Sequence, residues 1–531
     1  MKVIPSSEVP KLIKDGDSVL MTGITLGGFA EESVMEELLL ELENRFLETG
    51  HPNNMTFYWQ AAVGDMNTKG LSHICHEGMM TKGIGGHLNG CGRAMTEFSR
   101  DNKAEIYNWP QGVCVGMLHA IAAHQPGVIT KIGLKTFMDP RYGGGRMNDA
   151  AKDDLIELLN IDGEEWLLYK APKKINVAII RGTVADENGN ISMYKEGYKL
   201  GQLSAAEAAR ATGGIVICQV ERIVKAGTLN PRLVEVPGIL IDYVYVAKPE
   251  YHWQTAASIY NPVFSGECKV PMDSIPSVPL TERKLIARRA AMELKVGDIV
   301  NLGVGNPTVV SNVAAEEGCS SMFTLTTESG GIGGVPAAGN DFGCAWNGDA
   351  IIESGSIFDM YDGGSLDVGC LGFLEVGPNG DLNASKRNGL GIGVGGFMNI
   401  AGGASKVVFM GTFTGGKTRE STPKFKVGDG KLTIVREGDM KKFINQVAQV
   451  SFSGEVALDL GKKILYVTER AVFELVREGL KLIEIAPGID LQKDILDQME
   501  FAPIIADDLK EMPKELFQEE WGGLKDIMNA Q

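Results

Sequence analysis

A six-residue stretch near the start of the chain, Lys14-Asp15-Gly16-Asp17-Ser18-Val19, is echoed 281 positions later as Lys295-Val296-Gly297-Asp298-Ile299-Val300. Each copy follows a helical pattern, Ser6 to Asp15 in one and Thr281 to Lys295 in the other, and the glycine in each stops that helix. Each copy also feeds an apolar strand and then a glycine loop, Gly23 to Phe29 after the first and Gly303 and Gly305 after the second. A second pair, Asn188-Gly189-Asn190-Ile191 and Asn379-Gly380-Asp381-Leu382, stands 191 positions apart, and an apolar strand begins 26 residues past Asn190 (Val216) and Asp381 (Val407). Echoes that recur in order mean a duplicated architecture, and their unequal offsets mean that one half carries an insertion. Strand and helix alternate throughout: Ser18 to Thr22 is a strand and Ala30 to Leu47 an amphipathic helix, with Val34, Leu38, Leu39 and Leu42 on its apolar side. Met55 to Gln60 is the next strand, before a glycine-rich stretch through Gly92. The fold class that follows is α/β, two tandem related open domains.

At 531 residues the chain is too long for one core. Asn261 to Leu280 carries prolines at 262, 271, 276 and 279 and reads as a linker. It separates residues 1–275 from 276–531. The formal charge of −17 argues against nucleic acid, which needs a basic face. The eight cysteines form no CxxC pair, the first 23 residues show no signal peptide, and no apolar run reaches the ~18 residues of a membrane span. A cytoplasmic protein with reduced thiols is expected, with no nucleic acid or membrane as partner.

Ser321 to Thr327 suits a buried strand, whereas Gly330, Gly331, Gly333 and Gly334 around Ile332 must turn. Glu328 therefore stands where a rigid strand meets a glycine loop. At a reference pKa of roughly 4.3 it is expected to be ionised at neutral pH and to act as a nucleophile with no activating base. Taken alone, the same segment also fits a strand-end acid at an ordinary turn.

Gly391-Ile392-Gly393-Val394-Gly395-Gly396 matches a dinucleotide fingerprint by letter, but no long helix follows and no acid stands about 20 residues on. A turn presenting successive amides to an oxyanion fits better. His73, Cys75, His76, His87 and Cys91 match no zinc spacing and read as structural, so no metal site is assigned. All seven histidines lie at or before His252, which disfavours a Ser-His or Cys-His mechanism within the second half. In Phe358 to Asp367, Gly363-Gly364 reads as a turn beside a ligand. Gln111, on the Pro110-Gln111-Gly112 turn, offers a side-chain amide to a developing oxyanion.

These segments together resemble the family I CoA-transferases. Thr327-Glu328-Ser329-Gly330, Gly333-Gly334-Val335-Pro336 and Gly393-Val394-Gly395-Gly396-Phe397 are similar to the family's β-half, and Gly23 to Phe29 with Pro110-Gln111-Gly112 to its α-half. The likeness runs on through Tyr466 to Val472 and Glu484 to Asp490, and is greatest to single-chain bacterial acetate/propionate CoA-transferases. It implies an active site between the two domains and a homo-oligomer, a tetramer favoured over a dimer. Acyl-CoA and short-chain carboxylates would be the partners, with CoA as substrate and no cofactor. Glu328 would carry the acyl and CoA groups in turn, and Gly395 or Gly396 with Gln111 would stabilise the oxyanion. Gly303, Gly305, Gly333, Gly334, Gly363 and Gly364 would leave room for the CoA arm. Ser329, where the ketoacid-using branch has Asn, leans towards short monocarboxylic acids. The alternatives are an acyl-CoA hydrolase of the same fold and a non-catalytic ligand-binding relative.

Overall fold

The computed structural model describes residues 1–23, 35–271, 277–337 and 339–531. The glycine loop beyond Gly23, the start of the helix expected from Ala30, and the boundary near residue 275 lie outside the described residues. One eight-stranded sheet is built wholly before residue 247, and a ten-stranded sheet wholly after residue 298.

The first sheet is parallel throughout. Its order is Lys2–Val3, Tyr243–Val246, Ile215–Val220, Val177–Arg181, Ser18–Met21, Met55–Trp59, Met80–Gly85 and Glu105–Asn108. The second sheet repeats the middle of that order as Lys463–Val467, Lys406–Met410, Val368–Gly372, Ile299–Leu302 and Thr324–Thr326, again parallel. Both sequence echoes land on matching strands. Ser18–Met21 and Ile299–Leu302 stand 281 positions apart, and Val177, Val184, Ile191 and Ile215 begin strands 191 positions before Val368, Glu375, Leu382 and Lys406. The register agrees as well, with Leu20 opposite Tyr58 in one sheet and Asn301 opposite Thr326 in the other. The helical segments end earlier than expected, at Leu12 and Ala291, and Gly16 and Gly297 instead turn the chain into each strand with left-handed backbone (φ +76° and +90°), a conformation open to glycine without strain.

The second sheet is not parallel throughout: Thr324–Thr326 pairs antiparallel with Gly331–Ile332 at one edge, and the far side is antiparallel too. Lys463–Val467, Ala471–Val476 and Gly479–Ile485 are antiparallel neighbours. Only Thr468 to Arg470 separate the first two, too short for the crossover that a parallel pair needs. Among the described residues no helix is long and apolar enough to cross a membrane.

Buried apolar clusters cross the seam between the halves. Trp109, Val113 and Met117 from the first half belong to the same buried cluster as Phe358, Phe397 and Met398 from the second. The helix Gln111–Ala122 lies against the helix Ser354–Asp362 so closely that a Cβ on Gly355 would stand 3.4 Å from Val115. Burial of this kind contributes ~25 cal/mol per Å² of apolar surface, so the halves are held by their core as well as by polar contacts.

Candidate active site

Glu328 follows the strand Thr324–Thr326 by two residues, at the carboxyl end of a parallel sheet, where α/β folds bind ligands. The turn after it is tied back on itself. Thr327 N donates to the Gly331 carbonyl at 2.9 Å, and Gly331 N donates to Thr327 Oγ1 at 2.9 Å. Gly330 has φ +110°, and a Cβ there would stand 2.0 Å from the Ile352 carbonyl oxygen, so only glycine fits. The Ser329 hydroxyl is bonded to Thr327 Oγ1 and the Gly343 carbonyl, which fastens it into the turn.

Glu328 is 7% exposed, and its carboxylate lies on the backbone of Gly396: a Cβ on that glycine would be 2.3 Å from Oε2. Burial alone raises the Glu328 pKa to about 7. This corrects the sequence expectation of a fully ionised carboxylate at neutral pH, which took a solvated reference value. A buried carboxylate is the stronger nucleophile once ionised, because no hydration shell has to be stripped from it.

Gly395 and Gly396 are not equivalent. The Gly395 N–H donates to the Gly86 carbonyl at 2.7 Å, so its expected role as an oxyanion donor is taken by a structural bond. The Gly396 N–H makes no hydrogen bond among the described residues. Gln111 begins the helix Gln111–Ala122, and its own N–H donates to the Gly395 carbonyl at 2.8 Å. Gln111 is 1% exposed, and its Oε1 is buried without a partner among the described residues, 3.9 Å from where a Gly395 Cβ would be. Rotating that amide by half a turn presents two N–H donors at the same place.

His87 was read as structural in the sequence, yet the fold brings it to this group. Its Cδ2 is 3.6 Å from the Gly395 Cβ position. Its Nδ1 accepts from Gly90 N at 2.9 Å, which puts the proton of the neutral ring on Nε2, beside Cδ2. Burial lowers the His87 pKa to about 4, so the ring is neutral and Nε2–H is a donor.

Two asparagines absent from the sequence analysis hold this seam. Asn108 Oδ1 accepts from Val394 N at 3.0 Å, while its Nδ2 donates to the Gly85 and Gly86 carbonyls at 2.7 and 2.6 Å. Asn399 Oδ1 accepts from Gly112 N at 3.0 Å, and its Nδ2 donates to both oxygens of Asp362 at 3.0 Å. Each bonds across nearly 290 residues of chain, so no local pattern could have indicated it. The other histidines of the expected structural cluster behave so: His73 bonds Glu36 and Glu43, and His76 bonds Glu43.

The glycines assigned to the CoA arm fall in three places. Gly303 ends the strand beside Glu328's own, with its N–H on the Cys370 carbonyl at 2.8 Å, and Gly305 is open and left-handed. Gly333 and Gly334 turn the chain tightly, each leaving only 2.1 Å for a Cβ before Asp349 or Trp346. Gly363 and Gly364 precede the strand Val368–Gly372 and so lie at the amino edge of the sheet, opposite to Glu328, where they line a separate cavity of about 560 Å³.

Residues 5–247 match the family model described as coenzyme A transferase. The chain is 47% identical over 533 residues to caffeate CoA-transferase of Acetobacterium woodii, covering 99% of both. It is 41% identical over 515 residues to acetate CoA-transferase YdiF of Escherichia coli K12, covering 97% of this chain and 95% of that one. The crystal structure of the Escherichia coli O157:H7 acyl-CoA transferase YdiF as a thioester complex with CoA superposes with a TM-score of 0.90 at 39% identity, covering 98% of this chain and 97% of that one. A strand-end glutamate on a glycine backbone, placed where two related α/β halves meet, thus coincides with full-length similarity to transferases of coenzyme A, and the chain belongs to that family in its single-chain, family I form.

Proposed function

We propose that this enzyme transfers CoA between an acyl-CoA and a short-chain carboxylate, of the acetate/propionate type, by a ping-pong route through a glutamyl-CoA thioester on Glu328. Ionised Glu328 attacks the thioester carbonyl, and a tetrahedral oxyanion forms. Its collapse breaks the C–S bond, giving a mixed anhydride and CoA thiolate. The thiolate attacks the Glu328 carbonyl of that anhydride, expels the free carboxylate and leaves the glutamyl-CoA thioester. An incoming carboxylate reverses both steps and leaves as the new acyl-CoA. The Gly396 N–H, with the Gln111 amide and His87 Nε2–H beside it, is the donor set for the oxyanions; one such donor supports ~3 kcal/mol of barrier lowering. Binding of the long CoA body away from the reacting carbon supplies energy that the chemistry can use.

The observation that carries this reading is the burial of Glu328 against Gly396 at the seam. A largely enclosed nucleophile keeps water from the anhydride and the thioester, which favours transfer to an acid over hydrolysis. The test is covalent trapping: incubate with acetyl-CoA and no acceptor, reduce with borohydride, digest, and map the peptides by mass spectrometry. Reduction to an alcohol at Glu328 is expected. Unmodified Glu328 together with released CoA would make the chain a hydrolase, and intact acetyl-CoA across a panel of acyl-CoAs would make it a binding module. The same reading takes CoA as substrate with no metal or further cofactor, so turnover should survive a chelator. It also describes a cytoplasmic homo-oligomer, a tetramer ahead of a dimer, which light scattering measures. Initial rates with acetate, propionate and a hydroxycinnamate test the acid range.

A further inference from the structure

The 560 Å³ cavity lies at the amino ends of the second sheet's strands and is walled by both halves. Its size is that of a small-molecule site, ~300–1,000 Å³. Ile132 and Leu134 from the first half face Met398, Phe452 and Leu460 from the second, giving it an apolar body. One charged group stands out on the wall. Lys462 Nζ donates to the Ala404 carbonyl at 2.5 Å and makes no ion pair among the described residues. An ammonium has three donors, so two remain.

The acids of the helix just before Lys462, Gly454–Asp459, are engaged elsewhere. Glu455 pairs with Lys135 at 2.5 Å and Asp459 with Arg477 at 2.6 Å. Asp362, also on the wall, accepts both Nδ2 hydrogens of Asn399, and burial raises its pKa to about 7. The other lining lysine, Lys131, is held by Glu164 at 2.8 Å, over the Trp166 ring. Desolvation lowers the Lys462 pKa to about 8, which still leaves it mostly cationic at neutral pH.

We infer that this cavity is a second ligand site, separate from Glu328, for a small monocarboxylate with an apolar body, its carboxylate on Lys462 and its chain between Ile132, Met398 and Phe452. A single uncompensated ammonium beside an apolar pocket calls for one negative charge at one end of the ligand. The wall ends at Asp362, whose bond to Asn399 leads to Gly112, so the ligand would touch the frame that holds Gln111.

The experiment uses the full chain without CoA, so its outcome is independent of whether CoA transfer takes place. Hexanoate binding is measured by calorimetry, and a diazirine analogue of hexanoate is photo-crosslinked and its peptides mapped. Labelling is expected in residues 130–136, 398–405 or 451–462. Lys462→Met should weaken this labelling about tenfold, and Lys462→Arg should retain it. Labelling confined to the surroundings of Glu328, no labelling at all, or labelling unchanged in Lys462→Met overturns the inference. Should Lys462→Met fail to fold, competition on the unaltered protein decides. Excess hexanoate should suppress the crosslink and hexylamine should not, and equal suppression by both also overturns it.

Discussion

Replacing Gly396 with alanine adds one methyl group to the floor beneath Glu328. The new Cβ would be 2.3 Å from Oε2 and 3.1 Å from the carboxyl carbon, with Ile400 next at 3.4 Å. Non-bonded heavy atoms settle at roughly 3.5 Å, so the carboxylate must retreat by about 1 Å. A displacement of that size at a reacting group costs about 100-fold in rate, or ~2.7 kcal/mol of barrier. The backbone itself raises no objection. Gly396 has φ −79° and ψ −5°, which alanine adopts freely, and restricting the unfolded chain is worth ~0.4–1 kcal/mol in its favour. The expected outcome is therefore an enzyme that melts no lower than the parent and transfers CoA from acetyl-CoA to propionate about 100-fold more slowly. Gly395→Ala is the control. Its φ is +53° and its nearest neighbour 3.6 Å away, so it should lose ~1–2 kcal/mol of stability while leaving the Glu328 carboxylate in place. Transfer by Gly396→Ala within threefold of the parent would refute the placement of Glu328 on that glycine. So would a large fall in melting temperature, which would put the strain in the fold instead of the side chain.

Glu328→Gln tests the raised pKa. A carboxyl at 4.5 when unfolded and about 7 when folded loses stability as pH climbs between those values. The variant should thus be more stable by on the order of 3 kcal/mol above pH 7 and no more stable below pH 4.5, as read from urea midpoints. For the parent enzyme, kcat/KM should climb through pH 7 to a plateau as Glu328 ionises. Asn399→Ala leaves the Gly112 N–H without its acceptor and Asp362 without its donors, at ~1–3 kcal/mol for each buried group, and a lower urea midpoint should show it. Arg470→Met strands Glu469, whose side chain is 0% exposed, and should cost ~3–5 kcal/mol in the same assay.

The parallel framework was legible because strand–turn–helix units leave local marks. The Lys-x-Gly-Asp echo located Ser18–Met21 and Ile299–Leu302, and the Asn-Gly echo, which the fold places at the turns of two matching hairpins, located the strands after them. Glu328 was legible for the same reason, since a strand pattern broken by four glycines is a local signal. The rest of the site was not. His87 gives no hint in sequence that it will meet Gly395, and Asn108 and Asn399 reach across the seam to partners set by tertiary packing. Burial was equally invisible: the upward shift of Glu328 comes from desolvation, and one of the groups packed on it, Gly396, lies 68 residues on. The antiparallel far side of the second sheet depended on a three-residue connection that apolar periodicity does not reveal.

The matched register of the two sheets fixes a counterpart for the nucleophile. With Leu20 opposite Tyr58 and Asn301 opposite Thr326, the residue equivalent to Glu328 is Gln60. The likeness extends to the floor, because Gly201, just ahead of the helix Gln202–Ala211, leaves only 2.3 Å between a Cβ and the Gln60 amide. Gln60 is 2% exposed, and both ends of its amide lack partners among the described residues. An amide has no anionic form to offer a thioester. The chain therefore contains two copies of one frame and a single group able to react in it. On the proposed route its capacity would be one acyl or CoA equivalent per 57.1 kDa polypeptide, and a titration of trapped thioester should stop at that ratio.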